Sequence, residues 1–122
     1  MKKIIFYSYL KCSPCIKAAK WLKSKDFEFQ LIDIVKEPPL VNYLNLALEQ
    51  YTNDKKRIFN TRGKAFKTLD IDIDIDCLSK EEIFQLLLSD GKLIKRPFLI
   101  YEEEKVILGF NEIEYAKQFL QG

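Results

Sequence analysis

Ile4-Ile5-Phe6-Tyr7-Ser8-Tyr9-Leu10-Lys11-Cys12-Ser13-Pro14-Cys15-Ile16-Lys17-Ala18-Ala19-Lys20-Trp21-Leu22 is the stretch whose reading decides the fold. Its first four residues are apolar and β-prone, and its last seven carry apolar side chains at helical spacing. Two cysteines three apart at a strand-to-helix handover point to thiol–disulfide chemistry. Residues at i and i+3 in a first helical turn lie about 5–6 Å apart at Cβ. A small adjustment brings that spacing into disulfide range. Pro14 suits the first helical position, where its missing N–H would have no intrahelical partner, and Ser13 is the expected cap. Ile16, Ala19 and Leu22 are the expected buried face, with lysines 17, 20, 23 and 25 in solvent.

Such chemistry needs a thiolate. A free thiol near pKa ~8.5 is only about 3% ionised at neutral pH. Bringing it to roughly 7 takes about 2 kcal/mol of preference for the anion, whereas a helix N-terminus supplies ~0.3–1 kcal/mol, and up to ~2 when partly buried. A cation is therefore expected beside the sulfur. Lys11, adjacent in sequence, is one candidate. Cys12 is assigned as an exposed nucleophile and Cys15, one turn inside, as the resolving thiol. The competing readings are a pair of inert buried cysteines or half of a zinc site. With no histidine and only Cys77 as a further thiol, a closed tetrahedral site is short of ligands, so no metal is expected.

At 122 residues, 48% apolar and 31% charged, the chain fits one ordinary globular domain with a real core. A formal net charge of +2 predicts no strong attraction to nucleic acid or membrane, and no apolar stretch approaches the length of a span. Met1-Lys2-Lys3 before an apolar run hints at a signal peptide. Ser8 and Lys11 interrupt that run and no small-residue cleavage site follows, so a first strand is the better reading. An odd number of cysteines without a secretion signal points to a reducing cytoplasm, where disulfides are catalytic or sensory. A monomer is the default expectation.

Outward from the opening stretch, residues 3–9 read as a strand, 13–25 as a helix and 27–34 as a second strand. Pro38-Pro39 stops it and starts a helix carrying Leu40, Val41, Leu44, Ala47, Leu48 and Tyr51 at helical spacing. Asn60-Thr61-Arg62-Gly63 reads as a loop or helix junction presenting an arginine. Residues 69–77 alternate strictly, isoleucines in and aspartates out, as an extended edge. Asp70, Asp72, Asp74 and Glu81 also match calcium-loop positions 1, 3, 5 and 12, but Ile75 stands where the sharp turn demands glycine. Ser79-Lys80-Glu81-Glu82 is a capping box opening a helix that Asp90-Gly91 ends. Residues 93–101 read as a strand entered through Arg96-Pro97, paired with 105–108 as a hairpin. Asn111 and Glu114 cap a last helix with Tyr115, Ala116, Phe119 and Leu120 on its apolar face. The order is β-α-β, helices, then β-β-α. It predicts an α/β thioredoxin-like mixed-sheet core, residues 1–38 and 92–122, with an inserted all-helical subdomain, 39–91, in one domain spanning 1–122.

Cys12-Ser13-Pro14-Cys15, Asn60-Thr61-Arg62, Lys95-Arg96-Pro97 and Leu108-Gly109-Phe110 stand in this order and at these separations. Together they resemble the family that joins glutaredoxin-linked arsenate reductases (ArsC) with Spx-type redox regulators of bacterial RNA polymerase, over essentially the whole chain. The resemblance implies that Pro97 is a cis-proline beside the active cysteine and that Cys12 is the nucleophile. It also implies that Arg62 and Arg96 hold an oxyanion through guanidinium forks. No bound cofactor is implied. Glutathione, or a dithiol protein such as glutaredoxin or thioredoxin, would be the reductant. Departures from the reductase pattern imply weak arsenate handling. Phe110 stands where the family's third arginine follows Gly109, Ser8 where a histidine precedes the cysteine, and Cys15-Ile16 where Ser-Arg ends the loop. Losing one charged contact of this kind costs roughly 1.5–3 kcal/mol.

The C-x-x-C pair with Gly109-Phe110-Asn111 looks more like the Spx side, where the disulfide is a switch and the fold docks on the C-terminal domain of the polymerase α subunit. Here Asp54 takes the place of that family's docking-loop glycine, with Lys55, Lys56 and Arg57 beyond it. Two expectations result. The first is a cytoplasmic thiol–disulfide oxidoreductase using Cys12, Cys15 and Arg96, with Arg62 as an anion contact. The alternative is an Spx-type regulator that binds the α subunit. Cys77, just ahead of a helix cap, is a second candidate resolving thiol.

Overall fold

The computed structural model describes residues 3–69 and 74–120. Strand β1 (Ile4–Ser8) leads into α1 (Ser13–Ser24), then β2 (Gln30–Asp33). Helix α2 (Val41–Gln50), a 3-10 turn (Lys55–Ile58), the short α3 (Lys64–Lys67), a second 3-10 turn (Ile75–Cys77) and α4 (Lys80–Ser89) follow. The chain then returns through a 3-10 turn (Gly91–Leu93) to β3 (Phe98–Tyr101), β4 (Lys105–Leu108) and α5 (Glu112–Phe119). The four strands form one mixed sheet in the order β2-β1-β3-β4. β1 and β2 run parallel, while β1–β3 and β3–β4 are antiparallel.

Strand β1 is apolar almost throughout because it is covered on both faces. Its alternate residues enter different cores. Ile4 and Phe6 join Ala18, Trp21 and Leu22 of α1 and Tyr115 and Phe119 of α5. Ile5 and Tyr7 join Leu44 and Ala47 of α2, Ile58, and Ile83 and Leu87 of α4. Trp21 meets the Tyr115 ring edge-on at 5.6 Å, which ties α1 to α5 across the first core. On the free edge of β4, Gln50 acts as a substitute strand. Its side chain donates to the Val106 carbonyl at 2.8 Å and accepts from the Val106 N–H at 2.7 Å, covering edge groups that would otherwise invite pairing.

The α4 capping box is present in both halves, Ser79 Oγ accepting from the Glu82 N–H and Glu82 Oε1 from the Ser79 N–H. Asn111 caps α5 by accepting from the Glu114 N–H. Four expectations need correcting. Cys12, not Ser13, caps α1. The buried face of α1 is Cys15, Ala18, Trp21 and Leu22, with Ile16 49% exposed, because the helix turns the Cys15–Ala18–Leu22 stripe to the sheet. Of the proposed 69–77 strand, residues 70–73, with Asp70 and Asp72 of the calcium reading, lie outside the described residues. Its end is the Ile75–Cys77 3-10 turn, closed by Asp74 accepting from the Asp76 N–H. Finally, the 93–101 strand begins only at Phe98, after the Gly91–Leu93 turn. That turn passes so close to the Ile34 carbonyl that a Cβ on Gly91 would collide with it. Among the described residues no helix is long and apolar enough to cross a membrane.

Candidate active site at the first strand-to-helix junction

The turn from β1 into α1 holds Cys12 by its backbone. Its N–H donates to the Tyr9 carbonyl at 3.1 Å, and its own carbonyl accepts from the Ile16 N–H at 3.1 Å. The sulfur then occupies the capping place of α1, accepting from the Cys15 N–H at 3.4 Å. A helix N-terminus offers unpaired N–H groups and the positive end of its dipole, and here both are aimed at Cys12 Sγ. From the far side of the site comes the segment before β3, whose Arg96 carbonyl lies 4.0 Å from that sulfur. The Arg96–Pro97 peptide is cis.

Cys12 is only 8% exposed, not the open nucleophile expected, because its sulfur points into the α1 cap and against the Arg96 backbone. Cys15 is deeper, at 1%. Both are free thiols, and their acidities are driven apart. Cys12 falls to about 6. Hydrogen bonding from the Cys15 side chain is the largest cause; the Cys15 backbone N–H and the charge and hydrogen bonding of Arg96 add to it, and burial opposes them. Cys15 is pushed far up, first by sharing its proton with Cys12 and then by burial. The Tyr9 backbone and the Ser8 side chain pull Cys15 the other way.

Arg96, not Lys11, is the cation that acts on Cys12. Its guanidinium stacks 4.7 Å over the Tyr9 ring and donates to the Lys92 carbonyl at 3.3 Å. Arg62 sits elsewhere, lining a cleft of ≈ 800 Å³ whose walls include Lys95, Gly109 and Phe110 but neither Cys12 nor Arg96. Cys77 is exposed and donates to Asp74 Oδ2 at 3.3 Å. That bond, with the charge of Asp74 behind it, raises its pKa. Among the described residues no group of three or more metal-ligating side chains gathers.

Sequence reasoning missed Tyr9 and Tyr115. The Tyr9 ring is the platform under Arg96, and its place three residues before Cys12 was the available signal. The buried Tyr115 hydroxyl donates to the Gly109 carbonyl at 3.0 Å. It pins the turn whose Gly109 N–H in turn donates to the Pro97 carbonyl at 2.9 Å. No spacing rule links Tyr115 to the site, since α5 reaches it only by folding back over the sheet.

The ArsC family model matches residues 7–118. The chain is 38% identical to the uncharacterized protein YusI of Bacillus subtilis, over 95% of this chain and 98% of that protein. It is 32% identical to the global transcriptional regulator Spx of Lactiplantibacillus plantarum, over 93% of this chain and 84% of that protein. Among solved structures it superposes on a possible arsenate reductase from Streptococcus mutans with a TM-score of 0.84. That match is at 35% identity and covers 95% of this chain and 98% of the other.

Proposed function

The chain belongs to the ArsC family, and on that premise we propose that it is a cytoplasmic thiol–disulfide oxidoreductase with Cys12 as nucleophile and Cys15 as resolving thiol. The observation that carries this is the Cys12 sulfur seated at the α1 N-terminus, where it accepts from the Cys15 N–H at 3.4 Å. That placement, with Arg96 adding its charge, favours the Cys12 thiolate, while Cys15 is favoured as the thiol. Thiolate fraction sets the attacking species, and a thiol with a pKa near the ambient pH is the best compromise between ionisation and nucleophilicity.

Cys12 thiolate attacks one sulfur of a substrate disulfide, forming a mixed disulfide and expelling the other sulfur as a thiolate that takes a proton from water. Cys12 is then neutral, so the charge that locked the proton on Cys15 is gone. Ser8 and the Tyr9 backbone favour the Cys15 thiolate, which attacks Cys12 Sγ, releases the second substrate thiol and closes a Cys12–Cys15 disulfide. Two equivalents of glutathione, or one dithiol protein, restore both thiols and leave as a disulfide. Arg96 steadies the Cys12 thiolate. Arg62 is the outlying anion contact, supplied by the 39–91 insertion to a core of 1–38 and 92–122. Arsenate reduction is expected to be weak, with Phe110 in the place of a guanidinium.

The alternative, an Spx-type regulator that docks on the RNA polymerase α subunit, draws on the relative named as a global transcriptional regulator and uses the same thiol pair as a switch. Equilibration of the pair against glutathione buffers tests the shared premise. A potential near the cytosolic poise supports exchange or sensing, and a pair that stays oxidised throughout rules both out. Turnover of a model disulfide with glutathione, abolished in Cys12→Ser, then supports the enzyme. Oxidation-dependent capture of purified α subunit without turnover supports the regulator.

A further inference from the structure

Lys56, Arg57, Arg62 and Lys95 converge on one cleft of ≈ 800 Å³, within the size range of small-molecule sites. Among the described residues the ion pair is Lys3–Glu103, so none of these four cations has a carboxylate within ion-pair distance. Two acids, Asp54 and Glu114, also line the cleft, which leaves cations in excess. Like charges gathered in a concavity repel one another and focus a positive potential into it.

The cleft is built rather than incidental. The 3-10 turn carrying Lys56 and Arg57 is tied to the segment carrying Lys95. The Lys95 N–H donates to the Ile58 carbonyl at 2.8 Å and the Asn60 N–H to the Leu93 carbonyl at 2.8 Å, around a Phe59–Ile94 bridge. Arg57 is held by stacking 4.8 Å over the Tyr51 ring. Gly109 adopts φ +71 and leaves room for the Lys95 stem, whose Cε would be 3.2 Å from a Cβ there. Phe66 and Phe110 supply aromatic surface among the charges.

We propose that this cleft is a binding site for a small organic anion, a flat or apolar body bearing phosphate or carboxylate groups. The guanidinium of Arg57 and the ammonium of Lys95 take the acidic groups and Phe110 takes the body. The site is distinct from the thiol pair and its occupancy does not depend on redox state.

The test is calorimetric titration of the reduced full-length chain with 1-naphthyl phosphate and with 2,6-naphthalenedicarboxylate, the two arms separating phosphate from carboxylate as the acidic group. Neutral 1-naphthol, inorganic phosphate and a glutamate 15-mer are run alongside. Saturable one-to-one binding of at least one naphthyl anion is expected, at least tenfold tighter than naphthol or phosphate alone. Arg57→Gln combined with Lys95→Gln should weaken it at least tenfold, and Phe110→Ala should weaken the naphthyl anion while leaving inorganic phosphate unchanged. Lys17→Gln combined with Lys20→Gln, on α1, should have no effect, and Cys12→Ser should bind as the parent does. The proposal is overturned if no naphthyl anion saturates, if naphthol binds equally well, or if the Arg57/Lys95 variant, with its circular dichroism unchanged, keeps full affinity. It is overturned too if only the glutamate peptide binds, which would make the cleft a protein-docking surface.

Discussion

Lys95 and Arg96 are neighbours in sequence and serve opposite kinds of place. Arg96 belongs to a packed junction, lying over Tyr9 with a carbonyl for a partner and a nearly buried sulfur to act on. Lys95 lines an open cleft with three other cations and, among the described residues, makes no ion pair. Near the sulfur, where water is scarce, a single guanidinium and two hydrogen bonds move an acidity a long way. In the cleft, where water screens each charge, only several cations together make a potential worth having. On the two proposals made above, one short stretch of backbone serves thiol chemistry through Arg96 and anion attraction through Lys95.

The largest effect should come from the junction. Cys12→Ser is expected to remove thiol–disulfide turnover to background while far-ultraviolet circular dichroism stays unchanged, whereas Lys95→Gln should keep turnover. Comparable losses in both would mean that the two regions are one site. Next, the iodoacetamide alkylation rate of Cys12 should rise with pH through a midpoint of about 6. Arg96→Gln should raise that midpoint and slow alkylation at pH 6 by roughly tenfold. Lys95→Gln should leave the profile in place, and an equal shift in both variants would break the comparison.

Both regions hang from the segment that starts at Gly91, so Gly91→Ala tests their common support. The added methyl meets the Ile34 carbonyl and is expected to cost about 1–3 kcal/mol in urea unfolding, loosening junction and cleft together. The smallest effect concerns pH and stability. Cys12 is acidified in the folded state, so its contribution is fully present above the unfolded thiol value of 9.0 and is lost as pH falls through about 6. Cys15 is raised, so its ionisation opposes folding above the unfolded value. Reduced protein should therefore gain stability between pH 6 and 9 and lose it beyond. Cys12→Ser should flatten the rise, as denaturant midpoints measured at fixed salt would reveal.

Much of this was legible in the chain. The β1–α1 handover, the Ser79–Glu82 cap, the β3–β4 hairpin and the Asn111 start of α5 depend on neighbours within a few residues, and propensity and capping act at that range. The alternating run at 69–77 has the period of a strand, but its described end, Ile75–Cys77, winds into a 3-10 turn instead. The approach to β3 continues the apolar pattern only at Leu93 and Ile94, and Lys95, Arg96 and Pro97 separate them from the strand, which begins at Phe98. Gly91 reads in the sequence as a helix stop, and its closeness to Ile34 is a long-range contact that no local rule supplies.

From residue order alone came the sheet-and-helix framework, the pair of thiols at its first turn, the candidate arginines and the family they resemble. The framework and the thiol pair follow from local pattern, and the arginines from the family resemblance. Tertiary structure alone decided that Cys12 is sheltered, that Arg96 reaches it across the Tyr9 ring, and that Lys95 and Arg62 gather with Lys56 and Arg57 instead. The reason is physical. Burial and electric field depend on which distant segments the two cores bring together, and no spacing along the chain encodes a distance across it.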